Sequence, residues 1–204
     1  MIVKICGLNP IRDVQLCIDL NVKFLGFVFY DKSPRNVDLK DIQILKKFNK
    51  KNSLFVAVTV NPTNEFIKRI IKENFDYIQL HGSETNERIK EIKLMGIKTI
   101  KTVKIEVEAD IANYKNYDLA DIILFDTPGM EKSIKFPKNL ICKLPRGDNY
   151  ALAGSVSENN IENIAKLGVT FCDLSSSLEL DDQIGYKDHQ KIKKFIKKID
   201  EFKN

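Results

Sequence analysis

Short apolar runs alternate with stretches of helical periodicity along the chain. Each run is five to seven residues long and rich in Val, Ile, Leu and Phe, which is typical of strands buried on both faces. The pattern therefore predicts eight strands separated by helices. The runs lie at about residues 2–6, 24–29, 54–60, 76–80, 97–103, 121–126, 149–153 and 169–174.

Helix signals occur between the predicted strands. Pro10 predicts the start of the first helix and Thr63 the N-cap of a later one, because proline fits the first helical turn and a threonine hydroxyl accepts from a free backbone N–H. Ser83 and Ser157 are further predicted starts. Within residues 187–203, apolar side chains recur at helical spacing, so one face packs inward while the lysines face water.

Strands that alternate with helices predict an α/β fold, a single compact (β/α)8 barrel (TIM barrel) over residues 1–204. The alternative is a doubly wound open sheet. That fold usually carries a glycine-rich turn after its first strand, and Cys-Gly-Leu-Asn-Pro at residues 6–10 is not such a turn. The barrel is therefore the preferred prediction.

Composition argues against several classes of protein. The chain has 204 residues, 43% of them hydrophobic, which is enough for one substantial core. No apolar run approaches the roughly 20 residues that span a membrane, and the N-terminus lacks a signal-peptide pattern. The four cysteines include no CxxC pair, which predicts reduced thiols in the cytoplasm and no metal site. The net charge of +5 comes from scattered lysines, so no nucleic-acid partner is expected.

Polar residues follow most of the predicted strands. In a barrel of parallel strands these positions share the carboxyl-end rim, where such barrels carry out their chemistry. The loops after the seventh and eighth strands commonly hold a phosphate through backbone N–H groups. We therefore expect a phosphorylated small molecule beside a thiol and a carboxyl group. The rim positions are Cys6, Arg35, His81, Asp126, Gly154, Ser155, Ser175 and Ser176.

Eight short motifs run along the chain in a fixed order. They are residues 4–8, 26–30 with 32–35, 58–61, 79–82, 124–126, 152–154, 173–176 and 185–188. Together they resemble the motifs of the phosphoribosylanthranilate isomerase family over essentially the whole chain. The resemblance implies a (β/α)8 barrel and an Amadori rearrangement of N-(5-phosphoribosyl)anthranilate in tryptophan biosynthesis. It also implies no cofactor.

The resemblance implies roles for the thiol and the carboxyl group. Asp126 protonates the ring oxygen of the sugar, and Cys6 removes the proton from C2. We expect the pKa of Asp126 to lie well above ~3.9 and that of Cys6 to lie below ~8.5. Lys4 precedes Cys6 by two residues on the same strand face, about 6.6 Å away, so it is expected to help hold the thiolate.

The remaining rim positions are expected to bind substrate. Arg35 suits the anthranilate carboxylate, because a planar guanidinium binds a carboxylate through two hydrogen bonds. Read without the resemblance, Cys6 is an inert buried thiol, Arg35 a surface residue and His81 a core imidazole. The other predicted substrate contacts are His81, Gly154, Ser155, Ser175 and Ser176.

The chain departs from the family pattern near the predicted phosphate site. Ser155 and Ser177 stand where the family usually has glycine, and residues 127–136 hold one glycine where the family has several. A serine forced to positive φ costs roughly 1 kcal/mol. These changes predict a raised KM before a lowered kcat.

Two other functions remain open from the sequence. One is a different phosphosugar reaction on the same barrel, and the other is a non-catalytic barrel that binds a partner. For the isomerase, the expected partner is the small-molecule phosphoribosyl substrate, with no membrane association, in a monomer or a homodimer.

Overall fold

A computed structural model describes residues 1–127, 138–154 and 156–201. Its eight strands form a closed parallel barrel in chain order, and the last strand pairs with the first. The predicted (β/α)8 fold is therefore confirmed, and the open doubly wound sheet is wrong. The strands are β1 (Ile2–Cys6), β2 (Phe24–Phe29), β3 (Leu54–Thr59), β4 (Tyr77–Leu80), β5 (Lys98–Lys104), β6 (Ile122–Asp126), β7 (Tyr150–Leu152) and β8 (Phe171–Leu174).

Helices connect the strands and cover the outside of the barrel. The α-helices are α1 (Val14–Asp19), α2 (Asn64–Lys72), α3 (Asn86–Leu94), α4 (Lys138–Ile141), α5 (Ile161–Lys166) and α6 (His189–Glu201). Three further connections contain 3₁₀ helices, at Asp41–Lys47, Glu108–Tyr117 and Ser176–Leu178. Within the part of the chain described, no helix is both long and apolar enough to cross a membrane.

The helix starts were predicted with mixed success. The Thr63 N-cap is confirmed, since its hydroxyl accepts from the N–H of Phe66. The start at Pro10 is wrong, because the Asn9 side chain accepts from the N–H groups of the two residues after Pro10 and holds them in a turn. Helix α1 therefore begins at Val14.

The two serine starts are also wrong, each by a few residues. Thr85, rather than Ser83, caps α3 by accepting from the N–H of Arg88. The Ser157 N–H donates to the side chain of Asn160, so a turn precedes α5. In both places a second polar residue of the same segment takes the capping position.

Two apolar layers make up the core. The outer layer lies between strands and helices, and the inner layer fills the barrel. Phe24, Tyr77 and Phe171 pack at the amino ends of their strands, with ring centroids 5.1 and 5.4 Å from the ring of Phe24. These rings fill the barrel interior at its amino end, so the inward-facing polar residues lie at the carboxyl-end rim.

Candidate active site

A cavity of about 910 Å³ opens at the carboxyl-end rim. Seven of the eight predicted site residues line it, and the eighth, Ser155, lies outside the described residues. The barrel topology therefore brings together side chains from six strands or the loops that follow them. The seven are Cys6, Arg35, His81, Asp126, Gly154, Ser175 and Ser176.

Cys6 ends β1 and leads into a tight turn. The next residue, Gly7, has φ +75°, a conformation that disfavours other residues. On the neighbouring strand, a Cβ added to Gly26 would lie 3.1 Å from the sulfur of Cys6. The glycine thus leaves room for the thiol at the rim.

The pKa of Cys6 is raised, so the predicted lowering is wrong. Burial is the largest cause, and the negative charge of Asp173 adds to it. Lys4 and Lys187 lower the pKa but do not outweigh burial. The prediction failed chiefly because the thiol is buried, and to a smaller extent because the negative charge of Asp173, the carboxylate partner of Lys4, opposes the effect of Lys4.

That partner is Asp173, at the matching position of β8. The register of β1 and β8 sets Lys4 beside Asp173, and the Lys4 Nζ donates to Asp173 Oδ2 over 2.6 Å. The two side chains are 1% and 6% exposed. The other oxygen of the carboxylate, Oδ1, is buried and has no hydrogen-bond partner among residues 1–127, 138–154 and 156–201.

Asp126 and His81 line the same cavity, and their side chains lie close to each other. The Asp126 Oδ1 accepts from the N–H of Thr127 at 2.9 Å, and its Oδ2 lies 3.6 Å from the His81 Nε2. Burial, reinforced by the charge of Asp173, raises the pKa of Asp126 to about 7. This is the direction that an acid active near neutrality needs.

His81 is neutral at physiological pH. Burial lowers its pKa to about 4, and the nearby ammonium groups of Lys4, Lys104 and Lys101 lower it further. Its side chain is 30% exposed to the cavity. A neutral imidazole beside Asp126 offers a hydrogen bond without a charge that would favour the ionised carboxylate.

Arg35 is already engaged by a carboxylate of this chain. Its Nε donates to Glu179 Oε1 over 2.5 Å and its Nη2 to Oε2 over 2.9 Å. Lys187 Nζ also donates to Glu179 Oε1, at 3.1 Å, and to the carbonyl oxygen of Ser175. The pair of guanidinium donors expected to bind the substrate carboxylate therefore binds the carboxylate of Glu179 instead. Within the described residues, this leaves Nη1 and the second N–H of Nη2 for a ligand.

The predicted phosphate loops meet beside this cluster. Gly154 has φ +81°, and a Cβ there would lie 2.5 Å from the Thr127 hydroxyl, so the position requires glycine. The Ser175 hydroxyl donates to the Cys6 carbonyl oxygen at 3.2 Å, so this side chain ties β8 to β1.

The departures from the family pattern have different outcomes. Ser177 lies in the 3₁₀ helix Ser176–Leu178 and is not among the residues with positive φ, so the expected strain there is wrong. Ser155 and residues 128–136 of the glycine-poor loop lie outside the described residues.

Several cavity residues or their partners had no role assigned from the sequence. Asp173 and Lys187 occur in recognised motifs, and Glu179 lies between two of them. The sequence signal that could have identified them is a charged residue inside a motif or between two motifs. The structure shows that such residues are buried, for example Lys187 at 3% exposure. Among the described residues, no group of three or more His, Cys, Asp or Glu side chains is placed to hold a metal ion.

Comparison with known proteins identifies the family. Residues 3–198 match the model of N-(5'phosphoribosyl)anthranilate (PRA) isomerase. The N-(5'-phosphoribosyl)anthranilate isomerase of Legionella pneumophila (strain Corby) is 34% identical over 203 residues, covering 97% of this chain and 96% of the relative.

Solved structures of phosphoribosyl anthranilate isomerases have the same fold as this chain. The phosphoribosyl anthranilate isomerase of Thermus thermophilus has a TM-score of 0.86 at 24% identity, covering 99% and 100% of the two chains. A phosphoribosyl anthranilate isomerase in complex with reduced 1-(o-carboxyphenylamino)-1-deoxyribulose 5-phosphate has a TM-score of 0.81 at 28% identity, covering 98% of each chain. With the family model matching nearly its whole length, this chain belongs to the N-(5'-phosphoribosyl)anthranilate isomerase family, enzymes of tryptophan biosynthesis.

Proposed function

We propose that this chain converts N-(5'-phosphoribosyl)anthranilate into 1-(2-carboxyphenylamino)-1-deoxyribulose 5-phosphate, with Asp126 as general acid and Cys6 as general base. The observation that carries the assignment is the partly buried carboxyl of Asp126, whose pKa is raised to about 7 in the cavity that Cys6 also lines. A carboxyl group that holds its proton near neutrality can protonate a weakly basic ether oxygen.

The first step opens the sugar. Asp126 donates its proton to the ring oxygen while the bond between that oxygen and C1 breaks, and the nitrogen lone pair forms the C1=N bond of a protonated Schiff base. The neutral His81 beside Asp126 leaves the carboxyl group in its protonated form. The carboxylate that results is stabilised by the N–H of Thr127 and by the charges of Lys4 and Lys104.

The second step is proton removal at C2. The Cys6 thiolate takes the C2 proton, and the electrons flow through C1 to the nitrogen, which gives a neutral enolamine. Since burial raises the thiol pKa, only a fraction of the enzyme carries the thiolate at neutral pH. Lys4 and Lys187 are the cations that lower the thiol pKa and stabilise the thiolate.

The ends of the substrate are anionic, and the cavity offers a place for each. The phosphate fits at the loops after β7 and β8, where Gly154, Ser155, Ser175 and Ser176 lie in sequence. The anthranilate carboxylate fits against the free nitrogen of Arg35, whose other edge is held by Glu179. A monomer or homodimer in the cytoplasm remains the expectation for the working enzyme.

The test is turnover of freshly prepared N-(5'-phosphoribosyl)anthranilate, followed by loss of its anthranilate fluorescence. The chain contains no tryptophan, so its own emission interferes little. We expect Cys6→Ala and Asp126→Asn each to lower kcat by about 10²–10⁴-fold.

Cys172→Ala is the matched control, since this thiol is also buried but lies in the outer core layer. We expect it to keep most of the activity. A folded wild-type protein without turnover would refute the proposal and favour another phosphosugar substrate or a non-catalytic barrel. Full activity in Cys6→Ala would assign the base to another residue.

A further inference from the structure

Three buried side-chain atoms in the cavity wall lack hydrogen-bond partners within the described part of the chain. They are Asp173 Oδ1, Gln79 Oε1 and Ser177 Oγ. A polar atom buried without a partner costs about 1–3 kcal/mol, and more when it is charged. The unpartnered oxygen of Asp173 therefore carries the largest energetic penalty of the three, and a ligand that donates a hydrogen bond to it would remove that penalty.

Asp173 lines the same cavity as the two groups that the proposed function assigns to the chemistry, and its charge affects both. Its Oδ2 accepts from Lys4, whose ammonium also contacts the thiol of Cys6. A substrate that brings C2 to Cys6 and the ring oxygen to Asp126 therefore places the atoms around C2 beside the free oxygen of Asp173.

We infer that Asp173 Oδ1 accepts a hydrogen bond from the C2 hydroxyl of the substrate and takes that proton when the ketone forms. The inference rests on the proposed function, because the C2 hydroxyl is chosen as the hydroxyl on the carbon at which Cys6 acts. An ionised carboxylate can only accept hydrogen bonds, and a hydroxyl is a strong donor to it.

The proton balance closes with this assignment. In the last step the O–H bond of the enolamine breaks, its electrons form C2=O, and the proton goes to Asp173. The C1=C2 bond becomes single as C1 takes the proton from the Cys6 thiol, which received it from C2. Asp126 has lost one proton to the ring oxygen, and Asp173 has gained one from the hydroxyl. Transfer from Asp173 to Asp126 restores the starting enzyme without any external reagent.

Lys4 is the residue that positions Asp173 for this proton transfer. Its Nζ holds one oxygen of Asp173 at 2.6 Å, and the other oxygen has no donor among the described residues. Burial raises the pKa of Asp173 while Lys4 opposes the rise, so the carboxylate beside Lys4 is a stronger base than an ordinary aspartate and is suited to accept a proton. A purely structural ion pair would gain from having both oxygens bound.

The binding test compares two stable ligands. One is reduced 1-(o-carboxyphenylamino)-1-deoxyribulose 5-phosphate, which carries a hydroxyl at C2, and the other is the same compound without that hydroxyl. We expect the wild-type protein to bind the first about 10–100-fold more tightly, as befits a hydrogen bond to a charged group. We expect Asp173→Ala to remove most of that ratio. Lys4→Met/Asp173→Ala, which leaves no unpaired ammonium, should do the same if the single variant folds poorly.

The kinetic test separates proton transfer from folding. Asp173→Asn keeps an acceptor oxygen but cannot take a proton, so we expect kcat to fall about 10²–10⁴-fold with KM changed much less. Asp121→Asn is the control, since this aspartate bonds to Thr99 at the start of β6, away from the rim. A wild-type affinity ratio near one, or a ratio that survives in the Asp173 variants, would overturn the inference. Wild-type protein without turnover would overturn the proposed function itself.

Discussion

Two buried charge clusters at the rim differ in one respect. In the first, Glu179 accepts from Arg35 with both oxygens and also from Lys187. In the second, Asp173 accepts from Lys4 with one oxygen, and the other has no partner in the described residues. Both carboxylates are nearly inaccessible to solvent. The first cluster is complete, in that both carboxylate oxygens have donors, and it fixes the cavity wall. The second cluster is incomplete, in that one carboxylate oxygen has no donor among the described residues, and it lies beside the proposed acid and base.

The complete cluster should be the more costly to break. Glu179→Ala leaves the buried Lys187 and the partly buried Arg35 without this anion, so we expect the free energy of unfolding to fall by about 3–5 kcal/mol. Urea denaturation measures this. Glu162→Ala removes an exposed pair with Lys166 and should change stability little. A small effect of Glu179→Ala would show that the first cluster is not the structural one.

The incomplete cluster, taken as a whole pair, should be replaceable by apolar side chains with little loss of stability but with a large loss of activity. Lys4→Met alone leaves Asp173 unpaired and should lower stability by about 3 kcal/mol. Lys4→Met/Asp173→Leu replaces the pair by apolar side chains and should recover to within about 1 kcal/mol of wild type, while kcat stays at least 100-fold down. Thermal or urea unfolding together with the fluorescence assay tests both statements. Activity near wild type in the stable double variant would remove the distinction between the clusters.

The two clusters should also differ in their effect on Asp126. The charge of Asp173 raises the pKa of Asp126, so Asp173→Asn should lower that pKa. Glu179 is not among the groups with the largest effects on it, and Glu179→Gln should change it much less. Titration of the Asp126 carboxyl carbon by NMR in labelled protein measures the pKa in each variant. Equal shifts of the Asp126 pKa in the two variants would contradict the prediction that only the cluster of Asp173 acts strongly on Asp126.

The two clusters and Asp126 should also differ in pH-dependent stability. Burial opposes ionisation of Glu179, but Arg35 and Lys187 outweigh it and lower its pKa to about 2; its stabilising effect is present above the unfolded pKa and is lost as the pH falls towards 2. Asp126 has the opposite sign. The folded state holds its proton up to about pH 7, so stability falls as the pH rises from about 4 to 7. Asp126→Asn should remove that fall in unfolding measured across this range, and an unchanged slope would contradict the raised pKa.

Most of the fold was predictable because strand periodicity and order are local properties of the sequence. Each predicted strand overlaps an observed one, and β1 and β2 match in both bounds. Helix starts were less predictable, because several polar residues compete for one cap. Asn9 forms a turn that displaces the start expected at Pro10.

The site was predictable in its positions and much less in its contacts. Rim residues follow from strand ends, so Cys6 and Asp126 could be placed in one cavity. The partners could not be placed, since Lys4 and Asp173 are 169 residues apart in sequence and meet only through barrel closure. The same holds for Arg35 and Glu179, 144 residues apart. The direction of the Cys6 pKa shift was mispredicted because it depends mainly on burial, and also on the charge of Asp173, neither of which is local in the sequence.

The most direct test of the assigned acid and base is the pH profile of kcat/KM with N-(5'-phosphoribosyl)anthranilate between pH 5.5 and 8.5. Asp126 must be protonated and Cys6 ionised, and the pKa of Cys6 is the higher of the two. Below pH 7 the activity should rise with the thiolate fraction. Near pH 7 it should level off, because deprotonation of Asp126, whose pKa is about 7, then offsets further ionisation of the thiol. A profile that is flat across this range would contradict the account, since it would mean that Asp126 has already lost its proton at the lowest pH.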